Sequence, residues 1–412
     1  MERTISPSEI LEYCSKKWFD NPAGIDALDL AEHFQITNEA AMRIFESFNE
    51  LGYGTLNRDV ELGVIHIDNK NIRKTPKFEE VVTHIFFPSK SILIFYYEKL
   101  GFLKKNIPEY KKKLMLGAGQ ISLVYFEEEV LRKYFDHLEK YECEDSESGG
   151  SILSRGEETP YIWVRYSKRK LKNGNIVVGA FYKDLADMSD NDQKYWASYE
   201  IAKGKFLEYE KDEAYQQFVK SQIYGEFADY VDPIAEVFSL LKKINEAVGV
   251  TVFKQVQNKS VMSPVENTCR SFCDSCSELD KLFANGNIDG KNLKKWMLLQ
   301  KIASESDFIC SDKRHPEITP RQMLKLLESK VCGTIYLSDL LKECSDYRQQ
   351  VAHHMTASSE EVVSYSQKFY DLCKRICQSG EILMLKLKEY SENRENGKIS
   401  SPLQARINRI EK

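Results

Sequence analysis

The chain has 412 residues, of which 42% are apolar and 29% charged, and a formal net charge of −5. Its length predicts two or three domains, and its weakly acidic balance gives no general attraction to nucleic acid, so such binding would need local basic patches. The ten cysteines lack the spacing of a disulfide framework, no N-terminal stretch resembles a signal peptide and no apolar run could cross a bilayer, so a cytoplasmic protein without membrane contact is expected.

Residues 1–70 are predicted to form a first domain of three helices and a hairpin. Ser6-Pro7-Ser8-Glu9 has the pattern of a helix start with a capping box. Two short amphipathic helices follow, at 26–34 and 38–51, and then two strands at 54–58 and 64–68. In order and spacing this segment resembles the winged helix-turn-helix family, whose DNA-binding members place the third helix in the major groove.

The charge of the third helix argues against contact with DNA. Glu39, Glu46 and Glu50 stand there against the single Arg43. Carboxylates would repel phosphates, and phosphate contacts supply most of the affinity for nucleic acid. Recognition of DNA or RNA would therefore depend on Arg43 and on Arg58 in the wing. A winged helix that binds a protein partner or dimerises is the alternative.

Residues 80–228 are predicted to be a mixed α+β middle domain, joined to the first by a polar linker at 69–77. Helices are expected at 89–100 and 127–139. Residues 142–160 are rich in Glu, Asp, Ser and Gly, a composition typical of an exposed loop.

A β-hairpin is the clearest local pattern of the middle region. Its strands, 161–166 and 176–182, flank Asn173-Gly174, a pair typical of a type I′ turn. Cations beside aromatic residues can grip a nucleic-acid backbone and stack on bases. The candidate nucleic-acid-binding residues of this ribbon are Lys168, Arg169, Lys170 and Lys172. The alternative is a solvated sheet edge that lysines protect against aggregation.

Residues 230–390 are predicted to be an all-helical domain, and residues 391–412 a flexible tail. The predicted helices span 234–248, 265–283, 292–304, 319–329 and 337–355, and a last long helix follows a cap formed by Ser358 and Glu361. Cys269, Cys273 and Cys276 fall within the apolar stripe of the second helix, without a histidine near enough to complete a zinc site. They are therefore expected to pack in a core, and no metal is expected.

The run Asp346-Tyr347-Arg348-Gln349-Gln350-Val351-Ala352-His353-His354 contains the most complete set of catalytic side chains in the sequence. At about 100° per residue, Arg348 projects within the apolar face of its helix. A charged arginine there is unfavourable unless it is paired or lies at an interface, and neither Glu343 nor Asp346 shares its angular position. Arg348 is therefore expected to meet a partner surface or an anionic ligand.

This arrangement resembles the HEPN superfamily (higher eukaryotes and prokaryotes nucleotide-binding), an all-helical domain with Arg-x(4–6)-His just before its last helix. The resemblance implies a metal-independent endoribonuclease without a cofactor, acting as a toxin or in antiviral defence, with its site formed across a homodimer. RNA would be the substrate. His353 would serve as general acid or base and Arg348 would stabilise the phosphorane charge, assisted by Gln349 and His354. Gln349 stands where the family often has Asn, Asp or His.

The predicted fold class is mainly α and multidomain, α+β overall. It comprises an N-terminal winged helix, a mixed middle region with a β-hairpin and a C-terminal HEPN-like bundle. Whether the chain is an enzyme stays open in the sequence. In the alternative, it is a non-catalytic regulator or adaptor whose winged helix binds DNA or a protein partner, whose HEPN-like domain dimerises, and whose Arg348 forms a structural salt bridge.

Overall fold

The computed structural model describes residues 5–66, 77–156, 159–202, 204–226, 230–310, 317–352 and 364–395. It is a mixed α+β protein in which helices predominate over two small antiparallel sheets. Two compact units are present: unit 1 comprises 1–124, 160–164 and 180–198, and unit 2 the remainder. The predicted middle region therefore contributes to both units, and the three predicted domains stay a prediction. Within the described ranges, no helix is both long and apolar enough to cross a membrane.

The described ranges contain eight strands and fifteen α-helices. The strands are β1 (Ile25–Asp26), β2 (Gly54–His66), β3 (Lys77–Pro88), β4 (Leu123–Glu127), β5 (Tyr141–Asp145), β6 (Gly149–Ser154), β7 (Trp163–Lys170) and β8 (Ile176–Phe181). The helices are α1 (Pro7–Asp20), α2 (Ala27–Phe34), α3 (Asn38–Glu50), α4 (Lys90–Lys99), α5 (Glu109–Met115), α6 (Arg132–Phe135), α7 (Tyr182–Ala186), α8 (Asp190–Ala197), α9 (Glu213–Gln222), α10 (Pro233–Val248), α11 (Cys269–Lys281), α12 (Gly290–Leu299), α13 (Pro320–Cys332), α14 (Leu337–Ala352) and α15 (Tyr365–Glu395).

Unit 1 packs its first helices over a three-stranded sheet with the order β1-β3-β2. Helix α1 begins with the predicted capping box, in which the Ser6 N–H donates to the Glu9 carboxylate at 2.9 Å. Phe45 of α3 stacks on Phe86 of β3, with ring centroids 5.0 Å apart and both side chains fully buried. The described elements run helix, strand, helix, helix, strand, strand.

The hairpin predicted between residues 54–58 and 64–68 is wrong. Strand β2 continues from the first segment into the second, as far as His66, and pairs antiparallel with β3, from Gly54 opposite Pro88 to His66 opposite Lys77. Asp59 adopts a positive φ of 52° at a β-bulge, which absorbs an extra residue without reversing the chain. Polar residues that suggested a turn therefore lie within one long strand. Residues 67–76, most of the predicted linker, lie outside the described ranges.

Unit 2 contains most of the second sheet, which has the order β4-β8-β7-β6-β5. Strands β5 and β6 pair from Tyr141 opposite Ser154 to Asp145 opposite Gly150, so the exposed loop predicted at 142–160 is wrong over 142–154. A Cβ on Gly150 would overlap the Glu144 carbonyl. Glycine is required there by close backbone approach, whereas composition alone suggested a loop.

The predicted hairpin is present as β7 and β8, but its turn is not of type I′. The Gly174 N–H donates to the Leu171 carbonyl at 2.9 Å, and the Leu171 N–H donates to the Asn175 carbonyl at 2.7 Å. Gly174 has a φ of 87°, while Asn173 is absent from the described residues with positive φ. This is a three-residue loop closed by a left-handed glycine, whereas a type I′ turn needs two residues with positive φ.

The helices of unit 2 lie close to their predicted positions, with corrected ends. Helix α11 begins at Cys269, where the Thr268 hydroxyl accepts from the Ser271 N–H at 3.2 Å, and helix α6 is far shorter than the predicted helix at 127–139. Cys273 and Cys276 are buried in the core, as predicted. Helix α15 continues to Glu395, into the segment predicted as a tail, and residues 396–412 lie outside the described ranges.

Candidate functional site

Arg348 lies near the C-terminal end of α14 and forms an ion pair with Asp280 of α11. Its Nη1 donates to Asp280 Oδ2 at 3.1 Å. The Asp280 side chain is 1% exposed, whereas the Arg348 side chain is 50% exposed. The partner of the arginine is therefore a buried carboxylate of the same chain, which corrects the expectation that only a partner surface or an anionic ligand would meet it.

The direction of Arg348 follows from the spacing of apolar residues on α14. Leu337, Leu341 and Cys344 are fully buried, and Arg348 continues this stripe by one turn. The same stripe packs against α11, on which Asp280 follows the buried Leu279. The helical wheel thus gave the correct face for Arg348, but it could not provide a carboxylate from a helix 68 positions earlier in the chain.

Asp280 binds a second arginine, Arg321 from the first turn of α13. Arg321 Nη1 donates to Asp280 Oδ1 at 2.9 Å, and its Nη2 donates to the Leu341 carbonyl. Each carboxylate oxygen of Asp280 therefore accepts from one guanidinium group. We call Asp280, Arg321 and Arg348 the arginine pair on Asp280. Two positive charges against one negative charge leave a surplus of one, on side chains that are 23% and 50% exposed.

Further charged and aromatic side chains surround Tyr347, the residue that precedes Arg348 on α14. The Tyr347 hydroxyl donates to Glu343 at 3.1 Å, and Arg375 of α15 donates to both carboxylate oxygens of Glu343 at 3.3 and 2.7 Å. Lys368 Nζ lies 5.2 Å from the ring centroid of Tyr347, and burial raises the pKa of the Tyr347 hydroxyl. One ion pair and one cation–π contact therefore join α14 to α15 on the face next to Arg348.

Two of the four predicted catalytic residues can be placed. Arg348 is paired as described, and Gln349 is exposed beside it. His353 and His354 lie outside the described residues, so their predicted roles stay predictions.

Lys168 is buried and cannot contact nucleic acid in this structure, which corrects its assignment. Its side chain is 1% exposed and forms an ion pair with Asp145. Its Nζ also donates to Ser263 Oγ at 2.6 Å and to the Tyr370 hydroxyl at 2.7 Å. Strand β7 occupies the middle of the five-stranded order, so the alternative of a solvated sheet edge is wrong as well.

The other basic residues of the hairpin do not form one surface with Lys168. The Arg169 guanidinium lies 4.0 Å from the Phe206 ring centroid and 4.5 Å from that of Tyr215. Lys170 Nζ is 3.8 Å from a carboxylate oxygen of Glu147 and is partly buried. Lys172 is 56% exposed and pairs with Glu208 at 2.6 Å. Because side chains alternate across a strand, Lys168 and Arg169 point to opposite faces of the sheet.

Arg43 and Arg58 are both exposed on unit 1. Arg43 Nε donates to the Glu39 carbonyl at 3.2 Å on its own helix, and Arg58 directly precedes the bulge at Asp59 in β2. These two positions remain open to an external partner, and their predicted binding of nucleic acid stays a prediction.

Asp145 and Lys168 belong to a buried polar cluster that sequence reasoning missed. Asp145 Oδ2 accepts from both the Ser263 N–H and the Ser263 hydroxyl at 2.9 Å. Nearby, Glu128 accepts from the Ser366 hydroxyl at 3.0 Å, and burial raises the pKa of Glu128 to about 8. The enclosed cluster joins the sheet of unit 2 to α15, so its chemistry serves to hold these elements together.

Comparisons of the chain with protein-family models, curated proteins and solved structures found no match. In the described part of the chain, no group of three or more His, Cys, Asp or Glu side chains is arranged to hold a metal ion.

Asp280 and Arg321 are the site residues that sequence reasoning did not identify. A usable indication existed for Asp280, which follows Cys276 by four positions and so falls on the apolar face of α11. A carboxylate on a buried face requires a cationic or hydrogen-bonding partner. Arg321 gave no comparable indication, because it lies among polar residues at the start of α13.

Proposed function

We propose that the protein is a metal-independent endoribonuclease of HEPN type, formed as a homodimer and acting as a toxin or antiviral effector. The observation that supports this function is the arginine pair on Asp280. A buried carboxylate holds Arg348 in place while half of its side chain stays exposed, and the cluster keeps one surplus positive charge. A cation fixed in advance is suited to the negative charge that develops on a phosphorane.

In the proposed reaction, the ribose 2′-oxygen attacks the adjacent phosphorus. One histidine of the 353–354 pair removes the 2′-hydroxyl proton, the phosphorus–O5′ bond breaks, and a second histidine protonates the departing O5′. The products are a 2′,3′-cyclic phosphate and a free 5′-hydroxyl. Arg348 would bind the non-bridging oxygens throughout, and no metal is required. In the proposed dimer, the 353–354 histidine pair of one protomer acts together with the Arg348 of the other.

Unit 1 is proposed to sense a trigger or to restrain the nuclease, through a winged helix that contacts a protein partner. The order of its elements and its β1-β3-β2 sheet support this assignment. The exposed carboxylates Glu39 and Glu50 on α3, against the single Arg43, favour a protein surface over a phosphate backbone.

A non-catalytic regulator is the second candidate, and one observation favours it. Arg348 already has a buried anionic partner, so a purely structural salt bridge accounts for its position. In that case α14 would serve dimerisation only, and DNA or protein binding by unit 1 would survive the loss of His353.

Cleavage of RNA in the presence of EDTA distinguishes the two candidates. Arg348→Ala and His353→Ala are each expected to lower the cleavage rate by a factor of 100 or more, the range of about 10² to 10³ seen when one charge-stabilising donor is removed. Arg375→Ala is the matched control, because Arg375 is also 50% exposed and ion-paired. Expression of the wild type and of Arg375→Ala should be toxic to the host cells, whereas expression of Arg348→Ala or His353→Ala should not. Absence of EDTA-resistant cleavage by the wild-type dimer, or equal activity of the Arg348 and Arg375 variants, would contradict the proposal.

A further inference from the structure

A groove of about 1000 Å³ lies between α12 and α13 in unit 2. Four lysines line it against two carboxylates: Lys254, Lys291, Lys294, Lys295, Asp289 and Glu317. Its remaining wall is largely apolar and includes Ile288, Leu298, Ile318 and Met323. The groove therefore combines a positive rim with an apolar floor.

The two carboxylates of the groove are already engaged within the protein. The Asp289 side chain accepts from the Asn292 N–H at 3.0 Å and caps α12. Glu317 binds Lys294 at 3.0 Å, and the same lysine binds Glu305 at 2.8 Å. Lys291 and Lys295 are exposed, and in the described ranges neither has a carboxylate partner. The positive charge available to a ligand comes mainly from these two lysines.

The groove and the arginine pair on Asp280 share the first turn of α13. Pro320 lines the groove, and the next residue, Arg321, binds Asp280. The Arg321 N–H donates at 2.9 Å to the side chain of Asn285, which also lines the groove. The groove thus borders the residue that precedes Arg321, and Arg321 is in turn joined through Asp280 to Arg348.

We propose that this lysine groove binds the backbone of single-stranded RNA and leads the strand to Arg348. The inference rests on the proposed function, because Arg348 supplies the cleavage site. Charge complementarity favours a polyanion, and continuity with the arginine pair favours a nucleic-acid strand over an acidic peptide. The apolar floor accommodates ribose and base faces. None of the described residues that line the groove is aromatic, so the contact depends on phosphates and is independent of base sequence.

Binding of fluorescent single-stranded oligo(dT) at several salt concentrations tests the groove separately from cleavage. Oligo(dT) lacks the 2′-hydroxyl and cannot be cut by the proposed reaction. Lys291→Gln combined with Lys295→Gln is expected to weaken binding about tenfold and to reduce the slope of log K against log salt by about 1.4, because each lost single-strand phosphate contact accounts for about 0.7.

The matched control is Lys211→Gln combined with Lys259→Gln, which removes the same charge from unit 2. These lysines are 69% and 84% exposed and lie outside the groove lining. The control should leave the salt slope unchanged.

Equal effects of both double variants, or binding of poly(Glu) but not oligo(dT), would overturn the groove as an RNA site. If binding depends on the groove lysines but no RNA is cleaved, the groove stands as a nucleic-acid site and the proposed ribonuclease activity is refuted. Cleavage that is lost in Arg348→Ala but unchanged in the Lys291 and Lys295 double variant would support the ribonuclease and refute the groove as its RNA-binding site.

Discussion

The buried carboxylate of Asp280 forms ion pairs with both arginines of the candidate site, Arg321 and Arg348. Asp280→Asn keeps the shape of the side chain but removes its charge, which leaves two guanidinium groups beside a neutral amide. Breaking a fully buried ion pair costs about 3–5 kcal/mol. Because Arg321 and Arg348 are partly solvated, we expect a loss of about 2 kcal/mol in the free energy of unfolding. Urea denaturation followed by circular dichroism would measure it.

Glu343→Gln provides the comparison for this change. Glu343 also binds an arginine, Arg375, but its side chain is 31% exposed. An exposed pair contributes about 0–1 kcal/mol, so this variant should unfold nearly at the wild-type midpoint. If both variants lost equal stability, burial of Asp280 would not be the reason for its importance.

The face on which Arg348 lies could be predicted from the sequence, but its partner could not. Periodicity placed the arginine on the buried stripe of α14, and the structure agrees. Asp280 reaches it from α11 through tertiary packing, and no local pattern encodes the pairing of two helices. The same limit applies to Lys168, which resembled a surface cation and is bound by Asp145, Ser263 and Tyr370 from separate segments.

Strand β7 shows how much of an element can be predicted locally. The Asn173-Gly174 pair between two strand-like segments was sufficient to identify the hairpin with β8, because a hairpin joins residues that are close in sequence. Its central place in the order β4-β8-β7-β6-β5 depends on β6. The polar composition of β6 led to its prediction as a loop. A strand predicted to carry exposed lysines therefore lies in the middle of the sheet.

Lys168→Met tests the importance of the buried cation in β7. The substitution leaves Asp145 charged and buried without its cation, although the Ser263 N–H and the Tyr166 hydroxyl still donate to it. Removing one partner of a buried pair costs about 3–5 kcal/mol, and we expect about 3 kcal/mol of lost stability by chemical denaturation. Adding Asp145→Asn should recover part of this loss, because the orphaned charge is then absent.

Lys172→Met is the control on the same hairpin, since Lys172 is 56% exposed and its partner Glu208 is 44% exposed. We expect its urea midpoint to stay close to that of the wild type, because solvent screens an exposed pair. A Lys168 variant as stable as the Lys172 variant would show that the buried cluster does not hold the sheet to α15.

At the scale of the whole molecule, the proposed function requires two copies of the chain. Arg348 and His353 are five positions apart in the sequence. A helix that ran through both would separate them by roughly 140°, so one copy of the motif is not expected to present both to one phosphate. In a symmetric dimer, the arginine of one protomer can instead serve the histidine of the other, and each interface then holds two equivalent sites.

Mixing two inactive variants tests this arrangement directly. Arg348→Ala and His353→Ala should each be inactive alone, whereas co-refolded or co-expressed mixtures should regain activity. Half of the dimers would be mixed, and each mixed dimer would contain one site with an intact arginine and an intact histidine, so about a quarter of the wild-type rate is expected. Activity would be measured as EDTA-resistant RNA cleavage, with mixed dimers isolated by two affinity tags. Isolated mixed dimers that stay inactive would place the arginine and the histidine of each site in one protomer.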